Sequence, residues 1–213
     1  MEFLSQFMSL LLHVDKHLFE LVGTYGTLTY AILFVIVFCE TGLVVTPFLP
    51  GDSLLFAAGT LAGAGHLDYA ALLGLLLAAA VLGDAVNYHI GRYVGPPIFE
   101  KNTRLLNKEH LNRAHEFYEK HGGKAIVLAR FVPIVRTFAP FVAGVAAMTP
   151  AKFFFYNVAG GIIWVLSLVS AGYFLGNIPI IQRNFSVVVY GIIVVSVLPI
   201  VIDVVRSRLA RRS

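Results

Sequence analysis

The chain has 213 residues, of which 58% are hydrophobic and 13% are charged, with a formal net charge of +4. Soluble domains carry about 25% charged residues, and a globule of this length cannot bury so large an apolar surface. The composition therefore excludes a soluble domain and predicts an all-α integral membrane protein, while the single cysteine excludes a scaffold of internal disulfides.

The first two segments of the chain differ in their charge. Residues 1–23 mix charged with apolar side chains, which predicts an amphipathic helix at the membrane interface or, equally, a short helix packed on the rest of the protein. Residues 24–94 form a long apolar block, which we interpret as a first repeat. It is predicted to contain a broken hairpin at about 27–65 and a full transmembrane helix over 68–94.

The second half of the chain follows the same order after a charged segment. Residues 95–124 hold ten of the 28 charges, and their basic residues predict a cytoplasmic amphipathic segment. Residues 125–176 are interpreted as the second repeat. A broken hairpin is predicted at 125–148 and a transmembrane helix at 150–176.

The chain ends with a third apolar block and a basic tail. Residues 183–203 are long enough for a C-terminal transmembrane helix, and residues 204–213 contain four arginines. Since Lys and Arg beside membrane spans mark the cytoplasmic side, we expect the C-terminus in the cytoplasm. Nucleic-acid binding is not expected, because no basic stripe with interleaved aromatic residues occurs.

Capping residues place the ends of the predicted spans. Asp68 and Thr149 are expected to be N-caps, and Pro150 suits a first helical turn. The sequence Gly-Pro-Pro at 95–97 is expected to stop the first span.

Two proline-containing regions do not fit the pattern of a continuous span. Pro50 and Gly51 interrupt the first, and Pro133 and Pro140 interrupt the second. Each half-segment is too short to cross a membrane, and proline removes a backbone donor in its middle. Non-helical backbone at membrane depth survives only where protein or a water-filled cavity satisfies it, so both regions are predicted to be re-entrant hairpins.

The two regions also resemble each other, which suggests a duplicated unit. A shift of about 90 positions, or 81 for the last pair, aligns residues of the two halves as follows: Glu40 with Arg130, Pro50 with Pro140, Gly59 with Gly144, and Gly91 with Gly172. If both basic segments are cytoplasmic, the two hairpins open to opposite sides of the membrane. This architecture is an inverted repeat, as in transporters that bind substrate near the bilayer midplane.

The charges that lie within the apolar blocks include Glu40, Asp52, Asp84, Arg130 and Arg136. Each costs roughly 2.5–3.5 kcal/mol at a helix centre. The arginines offer planar donor forks that match a phosphate, and Glu40 and Asp52 are candidates for proton uptake that frees an arginine for an anionic headgroup. We expect Glu40 and Arg130 to meet; the alternative is that buried ion pairs only hold the hairpins together.

Several motifs resemble those of the DedA family of bacterial membrane proteins. The runs 38–42 (FCETG) and 47–53 (PFLPGDS) are similar to its first signature, and 83–92 is similar to its middle motif. Residues 117–123 followed by 130–140 (RFVPIVRTFAP) are similar to the third. The likeness extends through nearly the whole chain.

The resemblance implies a protein of the bacterial inner membrane that is linked to envelope integrity and the proton-motive force. Several family members are assigned to returning undecaprenyl phosphate across the membrane, and eukaryotic relatives are lipid scramblases. The family's functional acids and arginines match Glu40, Asp52, Arg130 and Arg136 in this sequence. The motifs also contain residues expected to support the site: Asp84, Tyr88, Arg92, Pro50, Gly51, Pro133 and Pro140.

The predicted function is transport of an anionic lipid, most simply undecaprenyl phosphate, with coupling to protons. The alternative is a proton-coupled antiporter for a small ion or osmolyte. An intramembrane lipid phosphatase is disfavoured, because neither Arg130 nor Arg136 has a histidine beside it in sequence. The expected partners are membrane lipids and protons, with no cofactor or metal; the oligomeric state, a homo-oligomer included, and the side of the N-terminus stay open.

Overall fold

The computed structural model describes residues 25–43, 51–100 and 123–179, with the single positions 181, 187 and 191. This part of the chain is helical and contains no strand, as the composition predicts. Its helices are α1 (Leu28–Gly42), α2 (Gly51–Gly63), α3 (Tyr69–Glu100), α4 (Lys124–Ala129), α5 (Pro133–Val145) and α6 (Pro150–Leu175). Two of them, α3 over Tyr69–Val94 and α6, are long and apolar enough to cross a membrane.

The ends of the two long helices agree only in part with the capping residues. The Asp68 carboxylate accepts a hydrogen bond from the Ala71 N–H at 2.7 Å, which confirms Asp68 as the N-cap of α3. Pro150 is the first residue of α6, as expected. The predicted stop at 95–97 agrees with the end of the membrane-length span at Val94, but the helix itself does not stop there, because α3 continues to Glu100. Each proline removes one backbone donor, which weakens a helix without obliging it to end, so this motif marks the end of the apolar stretch only.

The second proline-containing region is broken at one place. Helix α4 ends at Ala129, and residues 130–132 form tight turns in which each N–H bonds to the carbonyl three residues earlier. Val132 is extended, and Pro133 begins α5. Pro140 lies inside α5 and does not interrupt it. The break therefore lies directly before Pro133, where a proline needs no helical donor.

The described residues fall into two compact units. The first contains α1 up to Ile32, α2, α3 up to Leu73, and α6 from Leu166 onward. The second contains the rest of α1 and α3, α4, α5, and α6 up to Val165. Each unit thus draws on both halves of the sequence.

In the first unit, α2 crosses α6 at two glycines. A Cβ atom added at Gly59 would overlap the carbonyl oxygen of Val169, three residues before Gly172. A Cβ atom added at Gly172 would overlap the carbonyl oxygen of Phe56, three residues before Gly59. The two backbones are therefore in direct contact, a form of packing that small residues permit between membrane helices.

In the second unit, α5 crosses α3 with the same spacing. A Cβ atom at Gly144 would overlap the carbonyl oxygen of Tyr88, three residues before Gly91. A Cβ atom at Gly91 would overlap the carbonyl oxygen of Phe141, three residues before Gly144. The sequence comparison aligned Gly59 with Gly144 and Gly91 with Gly172, so each crossing takes one glycine from each aligned pair.

Several predicted segments lie outside the described residues. These are the N-terminal helix at 1–23, the interruption at Pro50, most of the charged segment at 95–124, nearly all of the C-terminal span at 183–203, and the basic tail at 204–213.

Candidate functional site

Two ion pairs lie in the interior of the second unit. Arg136 on α5 pairs with Glu40 on α1 through Nη2 and Oε1. Arg130, at the C-terminal end of α4, pairs with Asp84 on α3 through Nη2 and Oδ2. All four side chains are at most 3% exposed. Four helices thus contribute to one buried group of charges, which we call the charge cluster.

Trp164 on α6 links the two ion pairs. Its indole ring lies 4.7 Å from the Cζ atom of Arg136 and 5.9 Å from that of Arg130, measured to the ring centroid. The face of an indole attracts a guanidinium at this range, and more strongly where water is excluded. Because Trp164 is 1% exposed, it stabilises both cations away from solvent.

Two buried asparagines complete the hydrogen bonding of the cluster. Asn157 on α6 accepts a bond from Arg130 Nη2 at 2.5 Å and donates to the Val81 carbonyl at 3.0 Å. Asn87 on α3 donates to the carbonyls of Thr41 at 3.1 Å and Thr137 at 2.8 Å. Both amides are fully buried.

These asparagines and Trp164 are uncharged, so the pattern of charges in apolar segments did not mark them as site residues. One signal was available. Asn87 follows Asp84 by three residues, which places both on the same face of α3.

Some polar atoms of the cluster have spare hydrogen-bonding capacity. Asp84 Oδ1, Asn87 Oδ1, and the Nε and Nη1 atoms of Arg130 are buried and have no hydrogen-bond partner among the described residues. Buried polar groups are normally bonded, and leaving them otherwise costs free energy. These atoms are therefore the places at which the cluster could take up a further hydrogen bond.

Two adjacent glycines on α6 make room for Arg130. A Cβ atom at Gly160 would lie 3.0 Å from Arg130 Cδ and 3.3 Å from Nε, and one at Gly161 would lie 3.7 Å from Nη2. The arginine thus lies directly against the α6 backbone. A larger residue at Gly160 would therefore force the Arg130 side chain to shift by a few tenths of an ångström.

The pairing within the cluster differs from the expected one. Glu40 was expected to meet Arg130, but it forms its ion pair with Arg136. Arg130 forms its ion pair with Asp84. The rotation of each helix about its own axis decides which acid faces which arginine. Equivalent positions in two repeats do not fix that rotation. Asp52, a half-buried residue in the first turn of α2, belongs to the first unit.

Tyr88 and Arg92 hold the turn between α5 and α6. The Tyr88 hydroxyl donates to the Met148 carbonyl at 2.5 Å and accepts a bond from Arg92 Nη1 at 2.8 Å. The Tyr88 ring also stacks on Phe153, with centroids 4.2 Å apart. These two predicted supporting residues thus fix the backbone where α5 ends, while Gly51 starts α2 and Pro133 starts α5.

Helix α6 carries an apolar groove of about 410 Å³ on its outer side. The residues that line it are Ala151, Phe154, Phe155, Val158, Ala159 and Ile162. The charge cluster contacts a different set of α6 residues. The helix therefore presents a polar face to the cluster and an apolar face to its surroundings. In the described ranges, no group of three His, Cys, Asp or Glu side chains could hold a metal ion.

Comparison with known proteins identifies relatives over most of the chain. The family model for the VTT domain matches residues 49–174. Protein DedA of Escherichia coli (strain K12) is 56% identical over 203 residues, covering 94% of this chain and 93% of that protein. Inner membrane protein YqjA of the same strain is 39% identical over 190 residues, covering 86% and 83%.

A third relative comes from a different organism. An uncharacterized membrane protein of Mycobacterium tuberculosis (strain ATCC 25618 / H37Rv) is 41% identical over 194 residues, covering 90% of this chain and 85% of that protein. No solved structure matches the chain significantly. The names of these relatives give a membrane location and no catalytic activity.

Proposed function

Since this chain belongs to the DedA family of membrane proteins, which is defined by the VTT domain, we propose that it carries an anionic lipid across the bacterial inner membrane. The lipid is a polyprenyl phosphate, most simply undecaprenyl phosphate, and its movement is coupled to protons. The observation that carries the proposal is the charge cluster: two ion pairs are buried in a protein whose described residues include two membrane-length helices.

The charge cluster is expensive for a role in stability alone. Buried ion pairs are often no more stabilising than apolar residues of similar volume, and charges at membrane depth mark substrate or proton pathways. Arginine suits a phosphate because its planar fork donates two parallel bonds. A carrier of a phosphorylated lipid needs such donors inside the bilayer.

Proton coupling is proposed to act through the pairing of Glu40 with Arg136. A proton added to Glu40 removes its negative charge and so weakens its hold on Arg136. The guanidinium then binds the phosphate, which replaces the carboxylate as its anion. Loss of the proton restores the ion pair and releases the lipid. Asp52 is proposed to take part in proton movement from the first unit.

An inverted repeat of two re-entrant hairpins is proposed as the architecture of transport. Its support is the correspondence between the two glycine crossings, where each contact falls three residues before the partner glycine. In each crossing, the second helix of one hairpin packs on the long helix of the other repeat. The positions of the hairpins in the membrane, and the cytoplasmic side of the C-terminus, belong to this proposal.

A lipid is favoured over a small ion by the apolar groove on α6. A phosphorylated lipid needs a polar site for its headgroup and an apolar path for its tail. Helix α6 supplies Trp164 and Asn157 to the charge cluster and an apolar surface to its surroundings. An antiporter for a small ion needs no groove that takes an apolar tail.

The proposal predicts that Arg136→Lys lowers lipid transport at least tenfold, because lysine keeps the charge and loses the bidentate fork. The measurement is the transbilayer movement of labelled undecaprenyl phosphate in liposomes that contain the purified protein. Gly74→Ala serves as the control, since a Cβ atom there contacts nothing within 4 Å. Movement by the wild type no faster than in protein-free liposomes would reject the lipid-carrier function.

A second prediction concerns the pH dependence of transport. Glu40→Gln keeps the size of the side chain and cannot gain or lose a proton, so the rate should no longer respond to an imposed proton gradient. The same liposomes, with a pH step across the bilayer, give the measurement. An undiminished response in Glu40→Gln would assign the coupling to another acid.

A further inference from the structure

Asn87 joins the two backbone segments that carry the Glu40–Arg136 ion pair. Its amide nitrogen donates to the carbonyl of Thr41, the residue after Glu40, at 3.1 Å. It also donates to the carbonyl of Thr137, the residue after Arg136, at 2.8 Å. An amide nitrogen has two protons, so both bonds form together.

The surroundings of Asn87 are dry and closely packed. Asn87, Thr41 and Thr137 are at most 1% exposed. Thr41 lies in the last turn of α1, where carbonyls lack a partner within the helix, and Asn87 supplies one. At the same place a Cβ atom on Gly42 would lie 3.3 Å from Gly83 Cα, so the end of α1 rests on the α3 backbone. Asn87 therefore anchors α1 to α3 and α5.

We propose that Asn87 is a positioning residue: it holds Glu40 and Arg136 in register, so that their ion pair opens and closes as one unit. Its consequences for transport rest on the proposed function, while its effect on the end of α1 does not. The Asn87 amide positions the two side chains indirectly, because it bonds to the backbone carbonyls of Thr41 and Thr137, which follow Glu40 and Arg136 in the chain. Substitution of Asn87 should thus have the same effect as loss of the ion pair.

Asn157 provides a matched control within the same cluster. It is also a fully buried asparagine, but it bonds to the guanidinium of Arg130 and to the carbonyl of Val81. Its contacts stabilise the other ion pair. An effect that comes only from removing a buried amide should be the same for both asparagines.

The first test uses Cys39, the single cysteine of the chain, which is half-buried and precedes Glu40. The rate of its alkylation by N-ethylmaleimide, measured on the full-length protein in liposomes, reports opening at the end of α1. Asn87→Leu should raise this rate about tenfold, from the loss of two buried hydrogen bonds. Glu40→Gln should raise it as well, and the double variant should react no faster than the faster single variant.

The control and the contrary result are defined in the same assay. Asn157→Leu combined with Glu40→Gln should give the product of the two separate increases, because the two changes affect different ion pairs. If Asn87→Leu does not fold, Asn87→Asp is measured instead. It preserves the shape of the side chain and replaces the amide N–H donors with a carboxylate oxygen, which accepts hydrogen bonds. An alkylation rate equal to that of the wild type in Asn87→Asp, or a multiplicative increase for Asn87→Leu with Glu40→Gln, would overturn the proposal.

The second test uses transport and its pH profile. Asn87→Leu, which adds no titratable group, should lose the response to a proton gradient that Glu40→Gln loses, whereas Asn157→Leu should lower the rate at every pH and keep the wild-type profile. A wild-type profile in Asn87→Leu would overturn the positioning role. Failure of the proposed function would instead show as absence of transport by the wild type, and the alkylation rates would then decide the positioning role alone.

Discussion

Replacing Arg130 with methionine is expected to lower the free energy of unfolding by about 3–5 kcal/mol. The reason is that Asp84 would stay buried without its cation, and Asn157 would lose its donor. Methionine fills much of the volume of the arginine, so the loss reports charge more than space. The measurement is unfolding by added denaturing detergent, followed in mixed micelles.

Two further variants separate the causes. Arg130→Met combined with Asp84→Leu should recover most of the stability, because replacing both members of a buried pair by apolar residues is often neutral or stabilising. Arg92→Met removes an exposed arginine that bonds to Tyr88 and should cost about 1 kcal/mol. A single Arg130→Met variant as stable as the wild type would contradict the described burial of the pair.

Gly91→Ala is expected to destabilise the protein by about 3 kcal/mol, at the upper end of the usual cost of overpacking. The added methyl group would overlap the backbone of Phe141, which cannot rotate away as the end of a side chain does. The same unfolding measurement in mixed micelles applies. Gly172→Ala, at the other crossing, should cost about as much, since it meets the backbone of Phe56.

Gly74→Ala on the same helix should have the opposite sign. A Cβ atom there meets nothing within 4 Å, and alanine is a better helix former than glycine by up to about 1 kcal/mol. The difference between Gly91 and Gly74 thus isolates the close approach of α3 and α5 from helix propensity. Equal effects of the two substitutions would mean that the two helices do not approach closely at Gly91.

Composition and periodicity predicted the elements well where local physics decides them. The long apolar stretches correspond to α3 and α6, and the carboxylate of Asp68 caps α3 because it precedes the helix by one residue. The continuation of α3 beyond 95–97 was not predicted. A proline removes one backbone hydrogen bond from a helix. Whether the helix ends there depends on the stability of the helical residues before and after the proline, which the proline itself does not reveal.

The partners of each ion pair in the charge cluster could not be predicted from the sequence. The apolar context of Glu40 and Arg130 singled them out, but the partners of each ion pair are 96 and 46 residues apart in the chain. Such contacts depend on how four helices rotate about their axes. Asn87 and Asn157 were missed for a related reason: an uncharged amide in an apolar helix carries little signal until its partners are known.

The two glycine crossings have a consequence for synthesis of the chain. Helix α2 is made early, and the surface around Gly59 packs on α6, which is made more than 100 residues later. Likewise, Gly91 on α3 has its contact on α5. Neither half of the sequence contains both sides of either crossing. A nascent first half therefore carries glycine surfaces that have no partner yet, and the two halves become stable together once the ribosome has passed α6.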